Sequence, residues 1–429
     1  MSDFTVAGTP MVPDAYRSAE AAVPRIAALD TVRGIAVMGI LAMNIVAFAM
    51  PFQAYMNPMA FGTESQADLG SWMFSFIFVD GKMRGLFSFL FGASTLLVIE
   101  RAEAAGLSPA RIHYARMAVL LGFGLLHFYF IWFGDILALY AQTGLILYFF
   151  RNMPVHKLVL LGVILVVVQS LMFAGIAAWA WYLSHAASLP ADQAQTWREM
   201  QEGFAPLTAQ KLAEDLALYR DGYGGLVHKR LVEQMAKPFS GTPLFLAETL
   251  GYMVLGMAAL KSGFFRGTWE AARYRKWALV CLGIALPLYA LFALMDARGG
   301  FSSEALFLWS VAATTPLRPV AVVGIAALVI LLTRDGGPLV ARIAAAGRAA
   351  FSNYLGTSIL MTTLFYGYGA GLYGSLSRIE LWIPVVTMWA LMLLWSKPWL
   401  DRFNYGPLEW LWRSLSRWEL QPMRKKAPA

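Results

Sequence analysis

The chain has 429 residues, of which 59% are hydrophobic and only 14% charged. Soluble domains carry about 45–50% apolar and about 25% charged residues, so this composition excludes a water-solvated globular protein and points to a bilayer. The formal net charge of +8 then reads as anchoring to anionic membrane lipids, and no nucleic-acid partner is expected. A single cysteine, Cys281, excludes an internal disulfide and any cysteine-based zinc or iron–sulfur centre.

Residues 1–28 are mixed, with scattered charge and three prolines. They lack the basic start, short apolar run and cleavage site of a signal peptide. The segment is expected to be a cytoplasmic N-terminal tail, and the first apolar run a retained span. A spanning helix needs roughly 20 apolar residues. By that rule ten spans are expected. The first five are Leu29–Met50, Trp72–Ile99, Arg116–Phe133, Ile136–Phe150 and Leu158–Leu183; the others are Leu244–Phe265, Trp277–Asp296, Leu306–Thr333, Ala350–Gly371 and Ile379–Leu400. The expected fold is an all-α, polytopic bundle of about ten transmembrane helices. It falls into an N-terminal half (29–183), an extracytoplasmic helical segment (184–242), a C-terminal half (243–405) and an amphipathic tail (406–429).

Three features break this regular pattern. The second span contains Asp80-Gly81-Lys82-Met83-Arg84-Gly85 and is too long to cross straight, so it either tilts or breaks at Gly81 and Gly85. The third and fourth spans form a tight hairpin around Gly134-Asp135. The eighth is interrupted by Pro316-Leu317-Arg318-Pro319, which frees backbone groups that neighbours or water must satisfy. The 184–242 segment reads as two amphipathic helices, Thr208–Arg220 and Leu226–Met235. In the tail, Leu408, Leu411, Trp412 and Leu415 share one helical face, as in an interfacial helix.

Lys and Arg gather in alternate connections: Arg101, Arg111 and Arg116; Arg151 and Lys157; Lys261 to Lys276; Arg334 to Arg348; and the tail. That asymmetry places both termini in the cytoplasm.

Charges within spans cost roughly 2.5–3.5 kcal/mol at the helix centre, so each demands a reason. Asp30 and Arg33 share a face at the start of the first span, where they form an interfacial ion pair or an anion site. Asn44, about 16 Å deeper at 1.5 Å per residue, is interhelical glue or a polar site residue. Asp80 and Arg84 stand four apart and can pair. His127 is the only histidine placed within a span, with Asp135 in the next turn as its partner or as a helix cap. His113 and His156 fall in connections, and His185 and His228 in the outer segment; no metal-ligand spacing occurs. Glu248 and Arg318 are weaker signals.

Several segments resemble a known family: Leu29-Asp30-Thr31-Val32-Arg33-Gly34, Leu86-Phe87-Ser88-Phe89-Leu90-Phe91-Gly92, Gly134-Asp135-Ile136-Leu137 with Tyr140-Ala141, Gly347-Arg348 with Asn353-Tyr354, and Gly406-Pro407-Leu408-Glu409-Trp410-Leu411-Trp412-Arg413. Together they resemble the YeiB-like bacterial inner-membrane proteins, whose C-terminal half is the domain-of-unknown-function family 418. The resemblance extends distantly to transmembrane acyltransferases of the heparan glucosaminide N-acetyltransferase type. It implies an acyltransferase-like bundle, acyl-CoA as co-substrate, a small-molecule or glycan acceptor, and an inner-membrane location. The acetyltransferase type keeps an Asn at the Asn44 position and places its catalytic His after the first span. Here no His lies between Asn44 and His113. Either His127 substitutes or no acyl group is transferred.

On that reading His127 is the general base, Asp135 or Asp80 orients it, and Arg33, Asn44, Arg84 and Arg318 bind or position the substrates. Two other classes stay open on the sequence: a transporter or exporter of a small metabolite or lipid, and a non-catalytic membrane interaction protein.

Overall fold

The computed structural model describes residues 26–425; most of the expected N-terminal tail and the last four residues of the C-terminal tail lie outside them. Among the described residues there are helices and no β-strands.

The first helix, α1, is Ala27–Ala49. The second expected span breaks in two, α2 (Gln66–Phe78) and α3 (Lys82–Ala104). The break falls at Gly81, whose φ of 68° suits glycine, and a side chain there would strike Arg318. Gly85 is an ordinary position inside α3. A Ser65–Asp68 capping box starts α2. Next comes α4 (Pro109–Leu126), capped by Ser108 and opened by Pro109, which runs into a π-helical turn over His127–Ile131. It is followed by α5 (Leu137–Leu147) and α6 (Val155–His185).

The 184–242 segment holds more helix than expected. It contains α7 (Ala191–Glu202), α8 (Ala209–Arg220, capped by Thr208) and α9 (Tyr223–His228), which ends in a second π-helical turn, Lys229–Glu233. The C-terminal half comprises α10 (Thr242–Lys261), α11 (Ala271–Arg298), α12 (Ser303–Ala313), α13 (Arg318–Leu332), α14 (Pro338–Arg348), α15 (Ala350–Phe365) and α16 (Trp382–Arg402). The tail forms α17 (Pro407–Arg417).

Seven helices among the described residues are long and apolar enough to cross a membrane, and eight if the pair α12–α13, bent by 53°, counts as one broken span. The expected ten segments are all recognisable as helix, but the fourth and ninth are short. The 16 residues of α15 extend only about 24 Å, against a hydrocarbon core of about 30 Å.

Glycine sets the closest helix crossings. A side chain on Gly92 would run into the Met253 backbone, and one on Gly256 into that of Phe89, so α3 and α10 cross backbone to backbone. Gly34 meets Ile343 in the same way, and Gly347 meets Asp30, locking α14 against α1. In lipid, where apolar faces gain little from burial, such small-residue approaches supply much of the packing.

The start of α1, the end of α14 and α17 converge on one side, the terminus side. On the opposite side, Arg378 bonds to the carbonyls of Ala54 and Phe61 and to Thr63 Oγ1, while Asn57 bonds to Phe204 O. Arg220 Nε donates to Tyr373 O, joining the 184–242 segment to that layer.

Candidate functional site

Three polar regions are built into the bundle. The largest is a cavity of about 500 Å³ opening on the terminus side. Six arginines line it, Arg33, Arg101, Arg116, Arg348, Arg413 and Arg417, against two carboxylates, Asp30 and Glu409. Arg33 donates to Asp30 Oδ1 at 3.0 Å and to Ser94 Oγ at 2.7 Å. Arg116 lies over the Trp412 ring at 4.2 Å, and Trp412 Nε1 donates to Arg116 O, so α17 forms one wall. Glu409 fixes that wall by accepting from Phe351 N, Ser352 N and Ser352 Oγ. Its burial raises the carboxyl above its usual range. Rather than a lipid anchor alone, α17 is therefore a docked part of the fold.

The cavity runs inward along α1 to Ile40, about 10 Å past Arg33. Its deep lining includes Ile136, Leu137, Tyr140 and Tyr354. Tyr354 also borders a small space with Asn44, Phe48 and Thr357, and its ring stands 5.3 Å from that of His127.

There the second region begins. His127 Nδ1 and Asp135 Oδ1 are 2.8 Å apart, both side chains buried. Asp135 Oδ2 accepts from Ala138 N at 2.7 Å, so this one carboxylate both caps α5 and orients the imidazole. In the neutral tautomer that donates Nδ1–H to Asp135, Nε2 would carry the lone pair. Nε2 has no hydrogen-bond partner among the described residues; neither have the buried Trp132 Nε1 and Thr357 Oγ1 nearby. Buried polar atoms are nearly always paired, and exceptions concentrate where a protein does chemistry. A π-helical turn carries His127, a deviation also frequent at functional sites.

The third region is closed. Glu248, 1% exposed, bonds Arg84 at 2.7 Å and Arg318 at 3.0 Å. Arg318 also donates to Thr314 Oγ1, and Tyr252 OH to the same Glu248. Nearby, fully buried Lys82 donates to Phe76 O at 2.8 Å and sits 3.3 Å over the Tyr289 ring.

The expected residues thus divide. Arg33 lines the arginine cavity, Asn44 lies half-buried beside the deeper space, and His127 and Asp135 pair. Arg84 and Arg318 belong to the Glu248 triad. The expected Asp80–Arg84 pair does not form: the break at Gly81 turns Asp80 away, so that it accepts from Tyr55 OH at 3.2 Å, while Arg84 reaches Glu248. Asp80 is consequently not the carboxylate on His127. One further expectation fails. His113 is not in a connection but inside α4, buried, bonded to Gly144 O at 2.8 Å and lining the arginine cavity. Arg101, Arg116, Arg348, Arg413 and Arg417, read in the sequence as marking the cytoplasmic side, converge on the lining of the cavity. Their one-sided distribution was the available signal; their convergence needed the helix packing. Among the described residues no three His, Cys, Asp or Glu side chains gather as a metal site.

Comparison with known proteins places this architecture. The chain is 30% identical over 432 residues to the uncharacterized protein YxaH of Bacillus subtilis (strain 168), covering 94% of this chain and 96% of that one. It is 30% identical over 403 residues to the uncharacterized protein YeiB of Escherichia coli (strain K12), covering 90% and 95%. The model of the family described as a protein of unknown function, DUF418, matches residues 259–419. The chain belongs to the DUF418 family. A more divergent relative is the uncharacterized 39.9 kDa protein in the amylase 3′ region of Bacillus acidopullulyticus, 24% identical over 393 residues. The DUF418 match starts within α10 and ends after α17, so it includes Arg348, Tyr354 and Glu409 but neither His127 nor Arg33.

Proposed function

We propose that this DUF418 protein transfers an acyl group from acyl-CoA to an acceptor within the membrane, with both termini on the cytoplasmic side of the bacterial inner membrane. The observation that carries the reading is the His127–Asp135 pair, its Nε2 unengaged, packed behind Tyr354 and Ile136, which line the deep part of a cavity of six arginines.

The cavity suits a donor that brings several phosphates from the cytoplasm. Guanidinium groups keep their charge and match phosphate oxygens in pairs. Arg33 and Arg116 hold the anionic end, while Ile40, Leu90 and Tyr140 border an apolar path inward. Asp135 keeps the proton on Nδ1. His127 Nε2 then takes the proton from the acceptor's O–H or N–H as its lone pair bonds to the thioester carbonyl carbon. The C–S bond breaks, and the departing sulfur receives the proton from His127. General-base help of this kind is typically worth about 10²–10⁴-fold.

The test is release of free thiol from acetyl-CoA by purified protein given a membrane extract as acceptor source. Wild type is expected to release thiol and His127→Ala about 10²–10⁴-fold less. Equal release by a folded His127→Ala protein would remove His127 from the mechanism.

The bent pair α12–α13 around Arg318 favours a second reading, export of a small metabolite or lipid. Proteoliposome flux without acyl-CoA would support it.

A further inference from the structure

The outer segment holds a charge that the mechanism above does not use. Arg230 lies on the π-helical turn Lys229–Glu233 and is only 3% exposed. Its Nη1 and Nη2 have no hydrogen-bond partner, and no carboxylate among the described residues forms an ion pair with it. Arginine does not shed its proton in proteins. A buried guanidinium without a counter-ion is costly, so this position calls for an anion.

Its surroundings are aromatic. Arg230 lies within electrostatic reach of Tyr219, Tyr366 and Tyr368. Tyr366 is fully buried, and its OH likewise has no partner. The Tyr219 ring packs 5.0 Å from Tyr366. Further out, Tyr223 and Tyr368 stand perpendicular, 5.4 Å apart, and are 42% and 40% exposed. Asp215, which shares the electrostatic surroundings of Tyr366 with Arg230, accepts from Tyr373 OH at 2.9 Å, and Glu233 on the same turn forms no ion pair with Arg230. Unpaired donors below and exposed aromatic faces above suit a ligand with an oxyanion at one end and an apolar-faced ring at the other.

The site abuts the histidine. The turn carrying Arg230 packs on the turn carrying His127. Tyr223 OH donates to Phe130 O at 2.6 Å, and Tyr129 OH donates to Met235 O at 2.7 Å. Gly367 N donates to Tyr219 O, bringing the loop that follows α15 into the same layer. Two π-helical turns thus meet, one bearing the general base and the other an unpaired cation, on the side away from the arginine cavity.

We propose that Arg230 and Tyr366 bind the oxyanion of an acidic saccharide whose ring rests on Tyr223 and Tyr368. This site is the acceptor site, and it presents a sugar hydroxyl to His127 from the side opposite the donor. The assignment as acceptor rests on the acyl-transfer reading; the anion site itself does not.

The test is calorimetric titration of the full-length protein in detergent with D-glucuronate, glucose and inorganic phosphate, alongside acetyl-CoA. Wild type is expected to bind glucuronate saturably and to bind glucose and phosphate much more weakly. Arg230→Lys keeps the charge but loses the paired geometry, and is expected to weaken glucuronate binding about 10- to 100-fold. Tyr368→Ala, at an exposed position, is expected to weaken it less. Both variants should bind acetyl-CoA as wild type does, which also shows that they are folded. Loss of acetyl-CoA binding with Arg230-dependent glucuronate binding intact would remove the donor reading and leave the saccharide site standing. Glucuronate binding unchanged in Arg230→Lys, or absent from protein that binds acetyl-CoA, would overturn the proposal. Phosphate binding as tight as glucuronate would overturn the saccharide assignment.

Discussion

Two clusters of buried charge in this bundle follow opposite rules. Around Glu248 every formal charge of the triad has a partner inside the protein: one carboxylate takes two arginines, and Thr314 and Tyr252 add further bonds. Around the terminus-side cavity, six arginines and two carboxylates among the described residues border about 500 Å³ of open space. The first arrangement joins α3, α10 and α13 and leaves nothing to offer a ligand. The second sets more arginines than carboxylates around open space among the described residues. Charge inside a membrane protein is therefore not in itself a sign of a site; the balance of charge and the space beside it separate a bolt from a binding surface. His127 differs from both: Nδ1 is paired with Asp135, and Nε2 has no partner among the described residues.

The contrast can be broken first at its chemical end. His127→Gln, which keeps a polar group beside the buried Asp135, should abolish nearly all thiol release, about 10²–10⁴-fold, with a smaller loss of thermal stability. Glu248→Ala should show the reverse pattern. It strands two arginines, and breaking a buried pair costs about 3–5 kcal/mol, so a sharp drop in the unfolding midpoint in detergent, or loss of inserted protein, is expected. If Glu248→Ala instead left stability intact and removed activity, the triad would belong to the site. A third variant probes the backbone crossings. Gly256→Val forces a side chain against the Phe89 backbone, and overpacking of this kind costs about 1–3 kcal/mol, again read as a lowered midpoint.

The smallest effect concerns pH. Burial holds the Glu409 carboxyl above its usual range in the folded protein. The folded state then binds more protons than the unfolded state between the two pKa values, so this contribution is fully present below the unfolded value and is lost as pH rises through the folded one. Docking of α17, followed by Trp412 fluorescence in a protein with few other changes, should weaken modestly over that window. Glu409→Gln should flatten the dependence.

Much of the fold was legible in the sequence because lipid imposes few solutions: apolar runs of about 20 residues must be helices. The helical character of all ten segments follows from that, as do the interruptions near Gly81 and Pro316. The shortness of α5 and α15 did not follow, because apolar composition continues past the helix ends into turns. The site was half legible. Asp135 lies eight residues after His127, and the Asp30–Arg33 pair follows from helical spacing. Asp80–Arg84 met the same spacing rule and failed it, because a positive-φ glycine breaks the helix between them. Glu248, Arg318 and Arg84 are far apart in sequence, and only the crossing of α3, α10 and α13 unites them. Arg230 carried no local signal at all, since its burial beside Tyr219 of α8 and Tyr366 after α15 is set by residues distant in sequence.

The central claim is that the arginine cavity, and not the Glu248 triad, receives an anionic acyl donor. Calorimetric titration of acetyl-CoA into wild type, Arg33→Ala and Arg318→Lys tests it most directly. The account predicts saturable binding by wild type, binding about tenfold weaker in Arg33→Ala, and unchanged affinity in Arg318→Lys protein that remains folded. Wild-type protein that fails to bind, or affinity that falls with Arg318→Lys but not with Arg33→Ala, would contradict it.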